Sequence, residues 1–316
     1  YIRSDKQKED LNDLVLSELH LIANNSYQGF EAQKLHLLFQ ATYYLNSGNY
    51  KSAIRYYQEL INLFNDNQHL ILNPPIYYLS AIQGILDSLC IAGLYHETPF
   101  FLSKLEELTQ NEYSTEFILH LKTLIYIYKS NSLLQAGNFE QALELRDKQE
   151  NELLKKVTSL GLESQLRLYL SFAVLGMYTK DYVQARKYMK KIFSLGKLFC
   201  AFPSYKIARL VNLLLQAELG NYDFFENEII SIKRNIRFEK QTYITEKLIF
   251  KFIQGYPLPS YEKARNKRWL QYQKDIQKIE QDKYERQLLK TFDVLAWIES
   301  KLTQRSLADI FIEKAH

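Results

Sequence analysis

Gly48-Asn49-Tyr50-Lys51-Ser52-Ala53 is the hexapeptide whose reading decides the fold, because its pattern returns four more times. A turn former is followed by a residue that is usually polar, an aromatic, two further residues and, as a rule, a small one. The pattern comes back as Gly93-Leu94-Tyr95-His96-Glu97-Thr98 and as Gly137-Asn138-Phe139-Glu140-Gln141-Ala142. It recurs as Lys180-Asp181-Tyr182-Val183-Gln184-Ala185, and last as Gly220-Asn221-Tyr222-Asp223-Phe224-Phe225. From aromatic to aromatic the steps are 45, 44, 43 and 40 residues. A period of that length marks a repeat architecture, each repeat being one supersecondary unit.

The chemistry of the hexapeptide predicts a helix, a tight corner and a second helix. Glycine closes a helix by taking the left-handed conformation. The polar residue after it (Asn49, Asn138, Asp181, Asn221) can cap the next helix. The aromatic fills the corner of the hairpin, and the small residue lets the two helices approach. The flanks carry helical stripes. Before the first node Leu35, Leu38, Ala41, Tyr44 and Leu45 are expected to face inward, and after it Ala53, Ile54, Tyr57, Leu60, Ile61 and Phe64. Neither helix of such a pair can bury its apolar face alone, so pairs must stack.

Composition agrees. Only 10 Gly and 6 Pro interrupt 316 residues of which 47% are hydrophobic and 24% charged. That is a globular chain, and one poor in the turn residues that an all-β fold spends freely. The expected class is therefore all-α, a solenoid of about five to six antiparallel helix pairs. Cys90 and Cys200 lie apart in apolar stretches and read as buried core residues; the six histidines are scattered without metal-ligand spacing. No run is long and apolar enough to span a bilayer.

The pattern resembles the tetratricopeptide repeat (TPR) family, in a divergent bacterial form with long repeats. The first repeat matches with Ala41, Gly48, Tyr50, Ala53 and Tyr57, and the fourth with Ala173, Tyr182 and Ala185, Lys180 standing where the family has Gly. The resemblance runs over roughly residues 30 to 240, with a fainter likeness to bacterial repeat proteins in Phe292 to Ser300. It implies a right-handed superhelix whose first helices line a concave groove. Projected from the family, the groove residues are Thr42, Asn46, Asp87, Ile91, Asn131, Gln135, Val174, Tyr178, Leu214 and Glu218, joined by Arg167. The family's clamp for a chaperone tail is absent, since Ile127 and Leu38 precede Asn131 and Thr42 where that clamp has lysine.

Three segments are expected: a capping helix in 1–29 (helix over 4–24, cap Ser4), the solenoid in 30–255, and a charged helical hairpin in 256–316 beyond Gly255-Tyr256-Pro257-Leu258-Pro259. Charge is split. Residues 1–120 hold 7 Lys+Arg against 14 Asp+Glu, a net of −7, and residues 121–316 hold 33 against 22, a net of +11. Two basic clusters stand out: Arg186, Lys187, Lys190, Lys191 and Lys197, then Lys263, Arg265, Lys267 and Arg268 before Trp269 and Tyr272. They are expected to be solvated helix faces rather than a nucleic-acid surface. Head-to-tail self-association through opposite charges would give a homo-oligomer.

No phosphate loop, zinc-peptidase signature or nucleophile elbow occurs, so no enzyme and no cofactor are expected. The favoured function is a cytoplasmic scaffold that binds a protein or peptide in the groove. The alternative is the peptide-sensing part of a bacterial transcriptional regulator; Tyr1 in place of a start Met leaves room for an upstream DNA-binding domain.

Overall fold

The computed structural model describes residues 9, 29–71, 73–196, 202–239 and 243–315. The expected capping helix over 4–24, Lys197, Cys200, His20 and His316 lie outside the described residues. Among those described there are 15 α-helices and no strand, as the scarcity of turn residues predicts. No helix there is long and apolar enough to cross a membrane.

The chain forms two compact units, Tyr1–Ile118 and Leu119–His316. The charge asymmetry follows that boundary, because residues 119 and 120 are Leu and His: the first unit carries the net −7, the second the net +11. The segment from 256 onward belongs to the second unit.

In the first unit α1 (Phe30–Asn46), α2 (Tyr50–Asp66), α3 (Ile76–Ala92) and α4 (Thr98–Leu108) pack each on the next, and α1 also packs on α3. The second unit takes in most of α5 (Thr115–Gln135), then α6 (Phe139–Lys155), α7 (Leu162–Tyr178), α8 (Tyr182–Ser194), α9 (Pro203–Glu218) and α10 (Asp223–Glu239). Here α6 packs on α7, α7 on α8, α8 on α9 and α9 on α10, while α7 also reaches α9. The C-terminal part of the second unit is built of five further helices. They are α11 (Ile244–Ile253), α12 (Glu262–Gln281), the short α13 (Arg286–Leu289), α14 (Val294–Thr303) and α15 (Leu307–Ala315). α11 packs on α9 and α12, α12 on α14, and α14 on α15.

All five nodes turn in the same way. The residue before the polar position has positive φ at each: Gly48 (76°), Gly93 (77°), Gly137 (74°), Lys180 (61°) and Gly220 (73°). At four nodes the next N–H bonds back five residues, from Asn49 to Tyr44 O, Leu94 to Leu89 O and Asn138 to Leu133 O at 2.9 Å, and from Asn221 to Gln216 O at 3.0 Å. That is the wrapped end by which a left-handed residue satisfies the last carbonyls of a helix. Capping is only half realised. Asn49 Oδ1 accepts from Ser52 N at 3.2 Å and Asp181 Oδ1 from Gln184 N at 3.1 Å, whereas the Asn138 side chain makes no cap bond and the Asn221 amide donates to Gln216 Oε1 instead.

The small position behaves as expected. Ala53, Thr98, Ala142 and Ala185 are wholly buried. A second small residue, Gly176, faces Ala185. A Cβ there would lie 2.9 Å from Ala185 N and from Asp181 O, so α7 and α8 meet backbone to backbone. The aromatics grade from buried Tyr50 through half-buried Tyr95, Phe139 and Tyr182 to exposed Tyr222.

One expected stripe is corrected. On α1, Ala41 and Lys34 are buried, but Leu35 is 54% exposed. At 100° per residue Leu35 shares a face with Phe39, Thr42 and Asn46, not with Ala41. Lys34 is stable in the interior because its ammonium bonds Glu31 at 2.5 Å and sits 4.3 Å from the centre of the Tyr77 ring.

Candidate functional site

The first unit holds an open patch of mixed apolar and polar residues on α1 and α3. α1 leaves Leu35, Phe39 and Thr42 exposed along one stripe, with Asn46 half-buried at its end. α3 presents Ile76, Ser80, Gln83 and Asp87 at the same helical spacing, exposed or half-buried. Tyr57 joins them from the second helix. Its ring is buried against Gly84, where a Cβ would meet ring carbons at 2.2–2.6 Å, so only glycine leaves the slot. The slot brings the phenol oxygen to 3.4 Å from Thr42 Oγ1. Burial raises the Tyr57 pKa, the Thr42 hydrogen bond lowers it, and the Asp87 carboxylate raises it again. The phenol therefore stays protonated, a donor or acceptor between a hydroxyl and an acid. Asn46 Nδ2 donates to Thr42 O at 2.8 Å, which fixes its amide plane. Thus Thr42, Asn46 and Asp87 come together, while Ile91 is buried.

In the second unit Arg167 of α7 is half-buried. Its Nη2 donates to the Tyr128 hydroxyl at 3.1 Å, and the guanidinium lies 5.6 Å from that ring's centre. His120 lies nearby, its Nδ1 3.3 Å from Ser164 Oγ. Burial, then the Arg167 charge, holds the His120 pKa below its usual value. Gln135 is half-buried on α5, and Val174 and Leu214 are core residues.

The remaining projected groove residues are engaged by the chain's own C-terminal segment. Asn131 Nδ2 donates to Lys290 O at 3.3 Å. Tyr178, 4% exposed, stacks on Phe292 at 5.0 Å, and its hydroxyl accepts from Asp293 N at 2.6 Å. Glu218 accepts from the Tyr182 hydroxyl (2.6 Å), the Tyr256 hydroxyl (2.9 Å) and Lys301 Nζ (2.5 Å). The carboxylate raises both tyrosine pKa values on top of their burial. What these positions face in this structure is α14, the loop before it and, for Glu218, also Tyr182 and Tyr256.

The basic clusters divide as well. Arg265 is buried, its Nη1 bonded to Pro259 O and Ser260 O, and Arg268 Nη1 donates to Gly255 O. Tyr272 is buried too, which leaves half-buried Trp269 as the aromatic of that cluster. Lys187 pairs with Glu150 at 3.4 Å, and Lys191 lies over the Tyr169 and Tyr188 rings. Among the described residues no group of three or more His, Cys, Asp or Glu could hold a metal ion.

Comparison with known proteins adds no relative: no family model, no curated protein and no solved structure matches the chain.

Proposed function

We propose that this chain is a non-enzymatic, cytoplasmic scaffold, a TPR-like right-handed stack of helix pairs that binds a protein or peptide against its first-helix face. The observation that carries the reading is the left-handed corner, recurring at the same position of five repeats. A stack of such pairs buries its seams and leaves one face of its first helices for ligands. The stripe of Leu35, Phe39, Thr42 and Asn46, with Asp87 beside Tyr57, supports placing the site in the first unit. It combines apolar anchors with a few convergent polar groups, the composition of a ligand-binding surface. The net −7 of that unit favours a ligand with positive charge.

Panning a random peptide library against the whole chain tests the reading. Selected peptides should bind Phe39→Glu and Asp87→Asn variants at least tenfold more weakly than the wild type. Peptides that ignore both substitutions but lose affinity on changes to the exposed face of α2, such as Arg55→Glu, would overturn it.

A further inference from the structure

The last helix of the chain is held differently from the one before it. α14 is core: Val294, Leu295, Ala296, Trp297, Ile298 and Leu302 are all buried. α15 is nine residues long, and among its described side chains it buries only Leu307, Ile310 and Phe311. Isolated helices of that length do not persist in water, so α15 exists because it is docked. A short connection with Gln304 at φ 59° precedes it.

What it docks on is the third node. Phe139 and Tyr178 stack at 6.1 Å and 12°, and Tyr178 stacks on Phe292 at 5.0 Å and 16°, a row of three rings. Phe311 meets that row edge-on, 6.0 Å from Phe139 and 5.3 Å from Tyr178. The floor beside the rings is Gly137. A Cβ there would lie 2.9 Å from Ile312 Cγ1 and 3.0 Å from Ala308 O, so the glycine that turns the node also admits the backbone of α15. Lys314 adds an ion pair to Asp293 at 2.9 Å, and Asp293 itself caps α14 through Ala296 N.

We infer that Gly137, Phe139, Tyr178 and Phe292 form a helix-binding cradle that α15 fills in cis, and that the cradle's ligand in trans is a short amphipathic helix with α15's own chemistry. That chemistry is a leucine followed at the third and fourth positions by an aliphatic and a phenylalanine, as in Leu307, Ile310 and Phe311, with a lysine one turn on to meet Asp293. Ridges at these spacings lie on one helix face, and helix-in-groove recognition is read from such anchors. A partner helix of this type competes with α15, so the C-terminal helix sets the threshold for binding. This site is separate from the open patch around Thr42 and does not depend on it.

The test uses the full chain and a fluorescein-labelled peptide with the sequence of residues 304–315. A Leu307→Ala/Phe311→Ala chain, with α15 loosened, should bind the peptide at least tenfold more tightly than the wild type by anisotropy. A peptide carrying Phe311→Ala should not bind, and Phe39→Glu in the first unit should change nothing. Equal binding to both chains, or none to a variant whose α7 and α8 amides remain protected, overturns the inference. Hydrogen exchange on the wild type decides independently of how well the variant folds. The α15 amides should exchange at least tenfold faster than those of α14, and a common rate for the two helices overturns the cradle.

Discussion

Lys180 is the one node residue that is not glycine where the turn demands a left-handed backbone, at φ 61°. A non-glycine residue in that region costs about 1–2 kcal/mol. Lys180→Gly removes the strain but makes the unfolded chain more flexible, which costs about 0.4–1 kcal/mol. The Lys180 side chain is exposed, so its loss should cost nothing further. The second unit should gain about 0.5–1 kcal/mol. Gly93→Ala is the mirror experiment. At Gly93, φ 77°, an added Cβ meets nothing within 4 Å, so its penalty is purely conformational, a loss of about 1 kcal/mol by the same arithmetic. Urea unfolding followed by circular dichroism, with hydrogen exchange to assign each transition to its unit, reads both changes. In melting of the second unit, which contains Lys180, 1 kcal/mol corresponds to about 2–4 °C, the scale for 150–250 residues. Lys180→Gly neutral or destabilising, or Gly93→Ala harmless, would refute the claim that the corners are held by left-handed residues.

Three further outcomes follow from the packing. Glu218→Ala removes the carboxylate that pairs with Lys301, whose side chain is 19% exposed and keeps the Tyr182 hydroxyl at 2.9 Å, and should cost the second unit about 3 kcal/mol; adding Lys301→Met should recover much of it, as a urea double-mutant cycle would measure. Gly84→Ala drives a methyl into the Tyr57 ring and should destabilise the first unit by about 1–3 kcal/mol, with Tyr57→Leu relieving the clash and Tyr57→Phe, which keeps the ring, not doing so. His120 has its folded pKa depressed below 6.5, so the unfolded chain binds the proton more readily. Stability contributed by neutral His120 is therefore full above about pH 6.5 and is lost as pH falls through the lower folded pKa; urea midpoints of His120→Gln against pH should be flatter on that acid side.

The corners were legible because everything that makes them is local: a left-handed residue, a cap, an aromatic and a small residue within six positions. The stripe of α1 was not. Leu35, Leu37, Leu38 and Phe39 make that helix apolar on several sides, so periodicity does not say which side the core takes, and Leu35 lies on the solvent side. The slot at Gly84 and the close approach at Gly176 carry a local signal, since a glycine inside a helical run often marks a place where something must come near. The covering of Asn131, Tyr178 and Glu218 had no local signal at all. Their partners Lys290, Asp293 and Lys301 lie 159, 115 and 83 residues away, and no pattern in either segment encodes the meeting.

Binding by the first-helix face is tested most directly by site-specific photo-crosslinking in living cells. Benzoylphenylalanine placed singly at Phe39, Thr42 or Asn46 should give discrete adducts with one protein or peptide, while the same probe at Arg55 or Glu59, exposed on α2, should give none. Adducts concentrated at the α2 positions, with the α1 stripe silent, would contradict the account.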